Sequence, residues 1–124
     1  MTNDKTTGFA SPAQGYEEEG IDLNRLLIRN PPATIYARLD SSDMEALGLV
    51  KGTLLVIDRS IVPTANSLVM LRHEGKFLCR LMFKKRGKPS FTDGENEINP
   101  IEDETEIIGT VTAAIRFYNN DNAH

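Results

Sequence analysis

Residues 40–58 read DSSDMEALGLVKGTLLVID, and the fold depends on how this stretch divides. Its first half is a polar turn in which two serines and an aspartate stand against Met44. Its second half, Thr53 to Asp58, is a short apolar run closed by a single carboxylate. An unbroken apolar run of that length suits a strand buried on both faces. Loops set on a rigid sheet often carry chemistry, so Ser41, Ser42 and Asp43 are the first candidates for a reactive group.

Outward from this point the chain reads as mostly β. ATIYARLD (33–40) alternates moderately. SLVMLRH and KFLCRLMF flank Glu74-Gly75, a good signal for a tight hairpin turn. Lys84 to Pro89 forms a basic turn around Gly87, and Asp93-Gly94 marks another turn. In TEIIGTVTAAIRFY (105–118), period two places Ile107, Gly109, Val111, Ala113, Ile115 and Phe117 on one side. Ahead of the strands, Asp22 can cap a short helix whose Leu23, Leu26 and Leu27 share a face. Asn30-Pro31-Pro32 ends it, because proline cannot continue the helical hydrogen bonding. Residues 1–20 read as an extended arm, with Glu17 to Glu19 a solvated acidic run, and 119–124 as a disordered tail. The expected fold is a curled, mainly antiparallel β domain over 21–118 with a short N-terminal helix.

Composition narrows the function classes. A chain of 124 residues has room for one domain with a modest core. Its 14 basic and 18 acidic residues give a net charge of -4, so no whole-chain field draws it to nucleic acid or anionic lipid. The single cysteine, Cys79, allows no internal disulfide and fits a reducing cytoplasm. With only His73 and His124 beside it, neither a metal site nor a cofactor is expected. No apolar stretch is long enough to span a bilayer, and the N-terminus lacks the apolar middle of a secretion signal.

Arg80 breaks the apolar pattern of KFLCRLMF. Period two puts it on the face of Leu78 and Met82. Either that face is exposed on an edge strand, or the guanidinium is buried and must meet a carboxylate. Several acids can serve, and the residues alone do not choose among them.

From Gly8 to about Phe117 the chain resembles the LexA-type serine–lysine self-cleaving family, and within it the UmuD-like branch in its shortened form. GFASPAQGYEEEGIDLNRLLIRNPPAT is similar to the opening of that shortened form. DMEALGLVKGTLLVID is similar to the nucleophile turn and the strand after it, EGKFLCRL to the strand that carries the lysine, and INPI with IIGTV to the closing segments. The family's serine precedes the methionine, which here makes it Asp43; its lysine falls on Arg80, and the two are 37 residues apart. Both catalytic positions are therefore expected to be substituted. The family cuts itself just before the glycine that aligns with Gly8. Here only Met1 to Thr7 precede that glycine, so the resemblance implies the product form.

The chemical consequence is specific. A serine–lysine dyad needs a lysine whose pKa is lowered enough to accept the hydroxyl proton as a neutral amine. Arginine stays protonated far above physiological pH and cannot act so, while Asp43 has no hydroxyl to attack with. A buried Asp43–Arg80 ion pair is expected to lock the site, with loss of either partner costing about 3–5 kcal/mol. Ser42 is the fallback nucleophile, one residue off the position. Lys51, Lys76, Lys84 and Lys85 are available as bases, yet none occupies the lysine position. Ser41 and Ser42 otherwise read as turn and capping residues.

The remaining features have plainer readings. FKKRGKPSF (83–91) joins four cations to two phenylalanines, a pattern found in single-strand binders, but it reads first as a solvated hairpin tip. Direct nucleic-acid contact is expected to be weak at most. His73 reads as a turn residue; Met70, Leu81 and Met82 read as core. What the resemblance implies is a catalytically inactive accessory protein of the SOS response, DNA repair and translesion synthesis. It would be a homodimer, through the C-terminal strand region and the arm, and bind a UmuC-type lesion-bypass polymerase and RecA filaments. Two alternatives stand beside this reading: a decoy forming mixed dimers with active UmuD- or LexA-like chains, and an active peptidase with an unusual site.

Overall fold

The computed structural model describes residues 20–119; the arm and tail readings lie outside them apart from Gly20 and Asn119. Helix α1 (Leu23–Leu27) is a single turn and a half, capped by Asp22, whose carboxylate accepts from the Arg25 backbone N–H at 3.3 Å. Leu23 and Leu26 remain largely exposed on it. Seven strands follow: β1 (Thr34–Arg38), β2 (Leu54–Asp58), β3 (Leu68–His73), β4 (Lys76–Lys85), β5 (Lys88–Thr92), β6 (Ile98–Pro100) and β7 (Thr105–Ile115). They form one sheet in the order β1-β2-β7-β3-β4-β5-β6, with every pair antiparallel. This is the mainly antiparallel β architecture that the sequence led us to expect.

The apolar run around Leu55 lies in the middle of the β1–β2–β7 half. Leu55, Val56 and Ile57 are all buried, as expected of a strand covered on both faces. Two clusters make the core. One gathers Leu39, Met44, Leu49, Leu55, Ile57 and Cys79, with Met70 and Val111 against it. The other gathers Val69, Leu71 and Phe91, with Leu78, Met82 and Ile107 against it. Met44 is fully buried, so the polar turn hangs from an apolar anchor.

Two β-bulges correct the reading of β7. Met70 pairs with Gly109 but Leu71 with Ile107, so Ile108 is extra. Val56 pairs with Ala113 but Ile57 with Val111, so Thr112 is extra. Each bulge resets the alternation. Ile107 therefore packs in one cluster and Val111 in the other, rather than along a single face. The gap left by the missing side chain at Gly109 is used: a Cβ there would come within 2.7 Å of Ile57 Cγ2 and 3.1 Å of the Asp58 carbonyl.

Both hairpins that meet β4 turn through residues at positive φ, Glu74-Gly75 (52° and 78°) and Arg86-Gly87 (53° and 79°). That backbone matches the twist of the flanking strands. Beyond the basic turn, β5 and β6 are strands where the sequence marked only turns. His73 is also corrected. It ends β3, with Nδ1 2.9 Å from Thr105 Oγ1 and its ring edge-on to Phe91. Met70 and Met82 lie against the two clusters, while Leu81 is only half-buried and belongs to neither.

Candidate functional site

Arg80 is the point where the two halves of the sheet converge chemically. It is 6% exposed, and every arm of its guanidinium has a partner. Nε donates to Glu97 Oε1 at 2.8 Å, Nη1 to the Cys79 carbonyl at 2.9 Å, and Nη2 to Asp43 Oδ2 at 3.5 Å. The two carboxylates are unequal. Glu97 makes the short contact with its side chain 27% exposed, whereas Asp43 stands farther off and is 51% exposed.

This revises the expected lock. Asp43 and Arg80 are in contact, but the bond that compensates the buried guanidinium runs to Glu97. Reading the chain missed that residue. Glu97 is set in place by its own loop: Thr92 Oγ1 donates to the Glu97 carbonyl at 2.6 Å, and Asn99 donates to Glu97 Oε2 at 2.7 Å. Asp93 closes the loop by accepting the backbone N–H groups of Glu95, Asn96 and Glu97 at 2.9–3.0 Å. Burial pushes the Asp93 carboxyl up, but those three N–H donors and the nearby Arg80 charge outweigh it and hold the group below its ordinary value.

Gly94 brings this loop against the polar turn. Its φ of +92° disfavours any side chain, and a Cβ there would come within 2.6 Å of Leu47. Leu47 belongs to the 3-10 turn Glu45–Leu47 that directly follows Asp43 and Met44. A glycine at 94 thus lets the Glu97 loop and the Asp43 turn share one guanidinium.

A cleft of about 380 Å³ opens beside the site, lined by Ala37, Leu39, Asp43, Leu55, Phe77 and Arg80 among others. Along it, Phe77 to Arg80 pair with β3 on one side only, since β5 covers only Leu81 to Lys85. An extended peptide can add to such an edge through backbone hydrogen bonds. No lysine is among the residues lining the cleft. Ser41 lines it, with its Oγ accepting from the Asp43 N–H at 3.5 Å. Ser42 is exposed, and its carbonyl accepts the Glu45 N–H. Cys79, beside Arg80, carries a thiol pushed up to about 11 by burial, against the opposing pull of the Arg80 charge. Among the described residues no cluster of His, Cys, Asp and Glu could hold a metal, and no helix is long and apolar enough to cross a membrane.

Comparison with known proteins places this geometry. Residues 1–112 match the family described as Peptidase S24-like. Protein SamA of Salmonella typhimurium is 37% identical over 114 residues, covering 87% of this chain and 77% of that protein. Protein MucA of Escherichia coli is 31% identical over 115 residues, covering 89% and 78%. Protein ImpA of Shigella flexneri is 38% identical over a shorter 80 residues, covering 64% and 55%. With a family match across nine-tenths of its length, the chain belongs to the Peptidase S24-like family, as a UmuD-like, LexA-type member.

Proposed function

We propose that this chain is a catalytically inactive, UmuD′-like accessory protein of SOS mutagenesis. In this reading it works as a cytoplasmic homodimer that binds a UmuC-type lesion-bypass polymerase and RecA filaments. The observation that supports inactivity is the permanent guanidinium of Arg80, buried where the family resemblance calls for an amine that can lose its proton. Its neighbours are carboxylates, which stabilise the charge further. A base is thereby missing, and Asp43 offers no hydroxyl. The open β4 edge still suits an extended peptide, so the cleft can bind without cutting.

Two measurements test the two halves of this reading. Incubation at alkaline pH, and separately with activated RecA and nucleotide, is expected to leave the chain uncut; a new fragment by mass spectrometry would restore the peptidase reading. Pull-down against a UmuC-type polymerase is expected to retain the partner. A folded, dimeric sample that retains none would remove the accessory role.

A further inference from the structure

The β4–β5 hairpin breaks two local rules at its tip. Lys85 and Lys88 are directly paired across the strands, and like charges facing each other in this way destabilise a sheet. Arg86 occupies a position with φ of 53°, where glycine, asparagine or aspartate is favoured and an arginine is unusual. Lys84, Lys85, Arg86 and Lys88 are all exposed, and none appears in an ion pair among the described residues. No acidic residue lies between Phe83 and Thr92, in a chain whose total charge is -4. Concentrated cations at a local cost to the fold, on an otherwise acidic chain, mark a surface kept for something outside it.

The shape of the tip narrows what that is. Lys85, Arg86 and Lys88 rim a shallow hollow of about 300 Å³ whose floor includes Ile98 and Pro100, and Ile98 is 53% exposed. Anionic groups can sit on the rim while flat apolar groups lie on the floor. Nucleic acid offers both at one fixed repeat, as phosphates alternating with sugars and bases; a peptide does so only where acidic and apolar side chains alternate, and polyglutamate offers only the anions. Of the two phenylalanines that the sequence offered for base stacking, Phe91 is fully buried and Phe83 half-buried. What is left is contact with the backbone, indifferent to base sequence.

We infer that the Lys84–Lys88 hairpin tip is a phosphodiester-binding surface, through which the protein touches nucleic acid directly. It goes beyond the accessory role proposed above and requires no polymerase or filament. With about three phosphates engaged, affinity for a single strand falls roughly 20-fold between about 50 and about 200 mM salt, from the known dependence on counterion release.

The test is fluorescence anisotropy with a labelled oligothymidylate and a duplex of equal length, on the whole chain. The variants are Lys85→Gln/Arg86→Asn/Lys88→Gln, in which asparagine keeps the turn, and a charge-matched control, Lys51→Gln/Arg59→Gln/Lys76→Gln. Loss of at least tenfold in affinity and of most of the salt slope in the hairpin variant alone is the expected result. The tighter affinity at the same salt concentration tells which form of nucleic acid is preferred. Thermal melting of both variants confirms folding. The inference fails if the wild type binds neither oligonucleotide at low salt or if both variants lose affinity equally. It also fails if polyglutamate competes as well as oligothymidylate at equal charge, which would assign the tip to an acidic protein.

Discussion

Arg80 and Lys85 sit on the same strand, five residues apart, in opposite circumstances. Around Arg80 the chain supplies a complete environment: a short bond to Glu97, a neighbouring carbonyl, a second carboxylate, and a loop tied down by Asp93 and Thr92. Around Lys85 it supplies nothing of the kind and sets Lys88 directly opposite. A buried cation is tolerable only when its partners are built in, because its lost hydration must be replaced. An exposed one keeps its water and is free to meet a ligand. The difference separates a cation that holds the fold from cations that the fold holds out.

The largest effect expected from this contrast is at Glu97. Replacing it with alanine leaves the guanidinium buried with the Cys79 carbonyl and, as its one carboxylate, the more distant and half-exposed Asp43. The expected loss is on the order of 3 kcal/mol, toward the lower bound for breaking a buried pair because Glu97 is itself partly exposed. In a domain of this size, that is a fall in Tm of roughly 10 °C. Asp43→Ala should cost no more than about 1 kcal/mol, as surface ion pairs do. The order of the two, read by chemical denaturation, is the decisive comparison. If Asp43→Ala proves the costlier, the guanidinium is held from the turn and not from the loop. The double variant Arg80→Met/Glu97→Leu, which strands no charge, is expected to lose less than Glu97→Ala alone.

Cys79 gives the second, smaller effect, one residue away on β4 and on its opposite face. Burial pushes its thiol up to about 11, from an ordinary value of 9.0. The unfolded chain therefore ionises first as pH rises, and the folded state binds the proton longer. This contribution is complete below about pH 9 and disappears between about pH 9 and about pH 11, worth on the order of 2 kcal/mol. Stability measured across that range is expected to fall less steeply in Cys79→Ala than in the wild type. Equal slopes would mean that the Arg80 charge offsets the burial of the thiol.

How far these arrangements were readable depends on how local their causes are. The Leu54–Asp58 strand, the Glu74-Gly75 turn and the Asp22 cap follow from neighbouring residues, and each was legible. The bulges at Ile108 and Thr112 were not, since an extra residue leaves no mark on an alternating run until its partners are known. β5 and β6 are short and rich in polar residues and proline, so their turn signals were louder than their strand signals. That Arg80 needed a carboxylate was legible; that it would be Glu97 was not. Its placement needs the β4–β5 and β5–β6 pairings and the close approach at Gly94, none of which a window of sequence contains. Asp43 was a candidate from the polar turn, but its pairing with Arg80 came from the family resemblance, and its half exposure had no signature in the chain.

The smallest effect belongs to the exposed end of β4, and its sign is the informative part. If Lys85 and Lys88 repel across the hairpin with no intramolecular return, then replacing both with glutamine removes a cost and exposes no buried partner. A gain of a few tenths of a kcal/mol is expected at low salt, shrinking toward zero near 1 M salt as the repulsion is screened. Denaturant titration at the two salt concentrations reads it directly. A loss of stability at low salt would mean that the two ammonium groups are doing structural service within the hairpin. The contrast with Arg80 would then be one of degree, and the tip would no longer stand out as a surface kept for a ligand.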